Sequence, residues 1–348
     1  MDIELLQNRA QLGSIALTTL FLALFGGVQF YLTPWVLWVF LIVGFCSLPV
    51  SAWLLLKREF PPGLLPGLLL VAAMTASTAA NLDIWPVTAG RLILAVIALS
   101  VLILAHQVGP EMLSEGLYYA GLVWPLVYVV SRCCLGWWSN PNILADWSLI
   151  FFVIGFTRPV KFYSVAHLGM VIFIGSRGAG LGVIAALLVL GPYLYTGRFV
   201  NSTSPVFSWA AGILGSLVIL SNFASKTALY RFQYWLLALT APDPGHVVFG
   251  IGPAGLKAGR FIDQPGGGFQ VHAHNVLISH AAELGLVGLA ALALGVVYTW
   301  RNWQRWRIYQ WQVAIIAGLL VHSLVDQPLW WPGLMVAFTA VVGSVSKR

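Results

Sequence analysis

Apolar runs close to or above the roughly 20 residues needed to cross hydrocarbon recur along the whole of this 348-residue chain. LILAVIALSVLILA, residues 92–105, is typical of them. Only 8% of the residues are charged and 59% are hydrophobic, with 16 Trp. An ordinary soluble domain carries about 25% charged residues, so this chain cannot hide its apolar surface inside one aqueous globule. The expected class is all-α: a polytopic integral membrane protein, residues 1–348 forming a single membrane domain with no polar block left for a soluble one.

Gly, Pro and charge divide the runs into twelve expected spans, at 12–32, 35–56, 63–81, 91–108, 117–133, 143–157, 163–176, 179–196, 206–222, 276–300, 312–325 and 329–345. MDIELLQNRAQLG has neither the basic start nor the small-residue cleavage site of a signal peptide, so the first span is expected to be retained. The formal charge of +7 is dispersed through short loops, which is topology control rather than nucleic-acid binding. With both termini cytoplasmic, eleven Lys and Arg fall inside and seven outside, the WRNWQRWR segment and the terminal SKR weighing most. Cys46, Cys133 and Cys134 form no metal spacing.

This orientation places one long loop, 223–275, outside, together with Arg177 and Asp326. Long loops in compact structures are often functional. The loop opens with SKTALYRFQYWLLALT, which reads as an interfacial helix stopped by Pro242. Its cations Lys226, Arg231, Lys257 and Arg260 outnumber Asp243 and Asp263, and guanidinium forks suit phosphate or diphosphate oxygens. Arg177, in GSRGAG between the seventh and eighth spans, sits at a Gly-flanked break where a polar cavity or an anion is the expected company. GIGPAG, 250–255, has the spacing of a dinucleotide fingerprint but no strand before it, and reads as a Gly-Pro turn.

HAHNVLISHAAELGLVG, 272–288, brings three histidines and a glutamate to the mouth of the tenth span. Zinc is not expected, because His280 lies about 240° around a helix from His274 and no Cys or tight Asp cluster completes a site. His280 and Glu283, three apart, share a face and are expected to satisfy one another, with an arginine of another span as the partner of Glu283. Asn275 suits the N-cap. His274, at the boundary itself, is placed to accept a proton from a sugar hydroxyl. HSLVDQPLWWP, 322–332, and SNPNILADW, 139–147, read as architecture, with Asp326 a candidate arginine partner.

These residues resemble the O-antigen ligase and O-antigen polymerase superfamily of bacterial envelope glycosyltransferases. The ligase pattern, His then Asn, Ser or Gln, nine residues and Gly-x-x-Gly, is similar to His274, Asn275, Gly285 and Gly288. The ELG of 283–285, NPN at 140–142, SRG at 176–178, RFQYW around Arg231 and the His322–Asp326 segment also resemble family blocks, over roughly 140–335. The resemblance implies transfer of a glycan from a polyprenyl diphosphate to an acceptor hydroxyl at the outer face of the inner membrane, with no metal or cofactor. It implies His274 as base, and Arg177 and Arg231 as holders of the diphosphate leaving group. Lys257, Arg260, Glu283 and His272 are the further expected substrate contacts. The expected partners are that donor, a glycan, lipid or protein acceptor, and membrane lipid. The competing expectations are a polymerase and, from another class, a lipid-linked-glycan transporter. Transporters commonly carry paired broken helices in two halves, a pairing the sequence does not show.

Overall fold

The computed structural model describes residues 3–25, 34–57, 60–133, 141–158, 161–195, 226–240, 244–256, 273–302 and 306–347. The expected ninth span, 206–222, lies outside them, as do Lys257, Arg260, His272, Asp243 and Asp263. Twelve α-helices occupy the described residues: α1 (Ile3–Phe25), α2 (Pro34–Lys57), α3 (Leu64–Ala80), α4 (Trp85–Val108), α5 (Pro110–Cys133), α6 (Pro141–Phe156), α7 (Lys161–Ile174), α8 (Arg177–Tyr195), α9 (Lys226–Thr240), α10 (Val276–Asn302), α11 (Gln310–Ser323) and α12 (Pro332–Gly343). The all-α expectation holds. Leu82–Val108 and Val276–Asn302 are each long and apolar enough to cross a membrane, and shorter apolar helices accompany them. Among the described residues the only strand pairing joins Trp306–Arg307 to Ser346–Lys347, antiparallel.

The helix starts that differ most from the sequence limits are those of α1 and α5. α1 begins at Ile3 rather than 12, because Glu4, Leu5, Leu6, Gln7 and Arg9 are good helix formers and carry the helix into its polar end. α5 begins at Pro110 rather than 117, with proline at a first-turn position and Glu111 behind it.

α6 is the centre of the packing. Every residue from 143 to 154 is at most 2% exposed, as befits a helix that is apolar on all sides. α5, α7, α8 and α11 pack around it. The crossing of α8 and α11 is closest at Gly182 and Gly318. A Cβ on Gly182 would stand 2.7 Å from the Gly318 carbonyl oxygen, and one on Gly318 would stand 2.9 Å from that of Gly182. Small residues let two backbones approach where lipid supplies no hydrophobic drive between helices. α3 lies against α10, and α4 against α2 and α12.

α10 is not a continuous helix. Gly285 has φ 60° and ψ −154°, which breaks the ladder one third of the way along. Such a break frees backbone groups that an apolar surround cannot satisfy. Here the segment 247–252 satisfies them. The Ala282 and Glu283 carbonyls accept from the amides of Ile251 (3.0 Å) and Gly252 (3.1 Å). The Leu286 and Val287 amides donate to the carbonyls of Val247 (3.0 Å) and Val248 (3.1 Å). Ser77 Oγ donates to the Glu283 carbonyl at 2.9 Å, and Asn81 Nδ2 to the Gly250 carbonyl at 3.0 Å, so α3 holds the plug in place. Gly285 ends one half-helix and starts the next. GIGPAG is a turn, as expected, and the turn is what fills the break.

Candidate active site

Four helix ends converge. They are the starts of α6, α8 and α10, and the end of α11. The start of α10 is fixed first: Asn275 Oδ1 accepts from the amides of Leu277 (2.9 Å) and Ile278 (3.2 Å), which is N-capping as expected. The same side chain also donates through Nδ2 to the Leu324 carbonyl at 2.8 Å, tying this cap to the end of α11. On the other side of His274 the Ala273 amide donates to Ser279 Oγ at 3.2 Å. Pinned from both sides, His274 adopts φ 53°, a left-handed conformation uncommon for a residue with a Cβ.

The strained backbone turns the imidazole toward Asp326, whose Oδ1 lies 2.9 Å from His274 Nδ1. A carboxylate on Nδ1 places the proton there and leaves Nε2 with its lone pair. The His274 side chain is 22% exposed and that of Asp326 is 11% exposed, so the pair sits at a mouth rather than in the core. Asp326 has further donors: its Oδ1 also accepts from the Gln327 amide at 2.8 Å, and its Oδ2 from Asn142 Nδ2 at 2.7 Å. Where an arginine partner was expected, the hydrogen bonds among the described side chains are to His274 and Asn142.

Behind Asp326 stands a second pair. His322 Nδ1 is 2.6 Å from Asp146 Oδ1, both side chains at most 1% exposed. His322 Nε2 faces Asp326 Oδ2 at 3.9 Å. Asp146, His322, Asp326 and His274 thus form one row of alternating carboxylates and imidazoles, from the centre of α6 to the mouth. The row fits against α8 because residue 178 is glycine: a Cβ there would stand 2.1 Å from His322 Nε2.

That contact brings the start of α8 beside the row. Gly175 has φ 73° and ends α7, and exposed Arg177 opens α8 immediately before Gly178. α9 approaches from the other direction. Tyr234 and Ala238 pack with Ile251, Leu256, Ala273 and Ala282, and the Tyr234 ring lies 6.2 Å from that of His274. Arg231, three residues earlier on that helix and half-buried, is close enough to act electrostatically on His322. The structure therefore brings His274 and Arg231 to one row of side chains, with the backbone of Arg177 at its edge through Gly178.

Glu283 and His280 lie elsewhere on α10. They do not satisfy one another. His280 Nδ1 bonds the Val276 carbonyl at 2.8 Å within its own helix. Glu283 is buried with the Arg91 charge of α4 beside it and the backbone amides of Ala254 and Leu256 aimed at its carboxylate. An arginine of another helix is its neighbour, as the cost of a buried charge demands. Among the described residues no group of three or more His, Cys, Asp or Glu side chains is arranged to hold a metal ion.

Asn142, Asp146 and His322 are the site members that sequence reasoning passed over as architecture. The available signals were a lone carboxylate in the otherwise apolar α6 and the i, i+4 spacing of His322 and Asp326. No protein-family profile, curated protein or solved structure matches the chain.

Proposed function

We propose that this chain is a twelve-span bacterial inner-membrane glycosyltransferase, similar to O-antigen ligases, with its site on the outer face and both termini in the cytoplasm. It moves a glycan from polyprenyl diphosphate to an acceptor hydroxyl. The observation that carries this reading is His274: a partly exposed imidazole in a strained backbone, held through Nδ1 by a carboxylate. That is the disposition of a general base. Nε2 takes the acceptor proton as the hydroxyl oxygen bonds to the anomeric carbon, and the carbon–oxygen bond to the diphosphate breaks with its electron pair. Arg177 and Arg231 stabilise the charge that develops on the diphosphate, an electrostatic contribution that is often the largest in group transfer. Lys257, Arg260 and His272 belong to the same outer loop and are assigned to donor binding.

Replacement of His274 by alanine tests this. With His274→Ala at wild-type abundance, glycan transfer in the producing cell is lost; normal transfer removes the base and with it the mechanism. Glycan chain length in a deletion strain separates the nearer alternative. Long chains left on the lipid carrier mark a ligase, and single repeat units mark a polymerase.

The break in α10 favours a second reading, since broken helices with buried charges are common in transporters. In reconstituted vesicles a transporter moves the lipid-linked glycan with its linkage intact. A transferase releases free polyprenyl diphosphate.

A further inference from the structure

His322 has no place in the mechanism above, yet it is the most enclosed imidazole near the site. Its Nδ1 is committed to Asp146 at 2.6 Å. Its Nε2 is buried without a hydrogen-bond partner among the described residues and points at Asp326 Oδ2 from 3.9 Å. A neutral ring would set a lone pair against a carboxylate oxygen there, whereas a protonated ring sets an N–H toward it. Among the described residues the charged groups acting on the ring are Asp146 on α6, Asp326 beyond α11 and Arg231 on α9, with Gly178 of α8 closing the fourth side.

We infer that His322 is a positioning residue for His274. Anchored by Asp146, it presents Nε2 to Asp326, and with Asn142 it fixes the carboxylate that orients the base. The inference rests on the reading of His274 as base. It also accounts for the charges of the row. Two carboxylates and one imidazolium leave a single negative charge while His274 is neutral, and none once His274 holds the acceptor proton. Without the charge on His322, two carboxylates would stand close together in a nearly closed site with Arg231 as the cation the structure places near them, an arrangement that is costly. The row therefore accepts a proton at its open end without charge accumulating at its buried end.

Amide isosteres separate this role from a tie between helices. Glutamine places its amide nitrogen where Nε2 stands, and asparagine places its own where Nδ1 stands. His322→Gln therefore keeps the reach toward Asp326, while His322→Asn keeps only the bond to Asp146. The assay uses the full chain in lipid nanodiscs, polyprenyl-diphosphate-linked glycan extracted from the producing cell, and release of free polyprenyl diphosphate. Expected are a kcat within about tenfold of wild type for His322→Gln and a loss of about 100-fold for His322→Asn, with KM little changed in both. Equal losses, or asparagine outperforming glutamine, overturn the inference, because a purely structural tie to Asp146 is better served by asparagine. Should neither variant give a monodisperse protein, Asn142→Ala removes the other donor to Asp326 Oδ2 from a half-buried helix start. A loss in kcat at constant KM then supports the inference, and wild-type kcat overturns it. His274→Ala in the same assay keeps the two claims apart. Turnover in that variant overturns the assignment of the base itself; an inactive His274→Ala beside full-rate His322→Asn overturns only the inference about His322.

Discussion

Asp326→Asn changes one atom and removes the charge behind His274. With its nitrogen in the place of Oδ1 and its oxygen still accepting from Asn142, the amide gives up the Gln327 N–H and donates toward Nδ1, which favours the tautomer whose proton sits on Nε2. A base in the wrong tautomer cannot take the acceptor's proton. The expected result is a fall in kcat of about 10⁴-fold, the scale found when the carboxylate behind a catalytic histidine is neutralised. Donor binding stays near wild type, because the arginines are untouched; measured kcat and KM in the nanodisc assay check both halves. His274 was legible because it interrupts an apolar pattern at a helix start and precedes a good cap. Its partner was not legible. Asp326 lies 52 positions away in sequence, and only tertiary packing chooses between an arginine and an imidazole for its company. The mutual satisfaction expected of His280 and Glu283 failed for a related reason. Spacing put them on one face, but a carbonyl one turn back captured the imidazole and a cation on α4 lay nearer the carboxylate's needs.

At the scale of elements, the break in α10 is the feature that sequence pattern concealed. VLISHAAELGLVGLAALALGVV has helical apolarity throughout, and a glycine inside it reads equally well as a packing residue or a kink. What decides is a partner 35 residues earlier: the turn at Gly250, whose backbone exchanges hydrogen bonds with both half-helices. A Cβ on Gly285 would stand 2.5 Å from the Gly250 amide nitrogen and 2.6 Å from the Val248 carbonyl oxygen. Gly285→Ala therefore combines a left-handed backbone, worth about 1–3 kcal/mol, with expulsion of the turn that satisfies four backbone groups. The thermal midpoint in detergent is expected to fall markedly, and protease is expected to cut within 244–256 sooner than in wild type. Gly90 provides the contrast, because a Cβ on it meets nothing within 4 Å and it sits inside α4. Gly90→Ala is expected to be neutral or to stabilise by about 0.5–1 kcal/mol. Equal behaviour of the two variants would mean that the break is not built around glycine.

For the molecule as a whole, the contacts sort the helix ends into two sets, and the sets agree with alternation of the chain. Asn142, Arg177, His274 and Asp326 meet at one end, joined by the turn at Gly250 and by Asn81. At the other end Arg158 bonds Ser114 at 3.0 Å, Tyr309 bonds Glu111, His106 Nδ1 bonds the Val345 carbonyl at 3.1 Å, and Trp306–Arg307 pairs with Ser346–Lys347. The expected topology had assigned the first set to the outside and the second to the cytoplasm, although the 106–116 connection, which holds His106, Glu111 and Ser114, has no Lys or Arg to support it. Side chains from distant parts of the sequence therefore group by the side of the membrane that the proposal assigns them. In a cysteine-free background, Leu82→Cys reports the first end and Arg301→Cys the second, both positions being exposed. A membrane-impermeant thiol reagent added to spheroplasts is expected to label Leu82→Cys at once and Arg301→Cys only after the membrane is opened. Labelling in the reverse order would turn the site to the cytoplasm, where an acceptor at the outer face could not reach His274. Simultaneous labelling of both would place the two ends on one side and remove the spanning arrangement on which the transfer reaction depends.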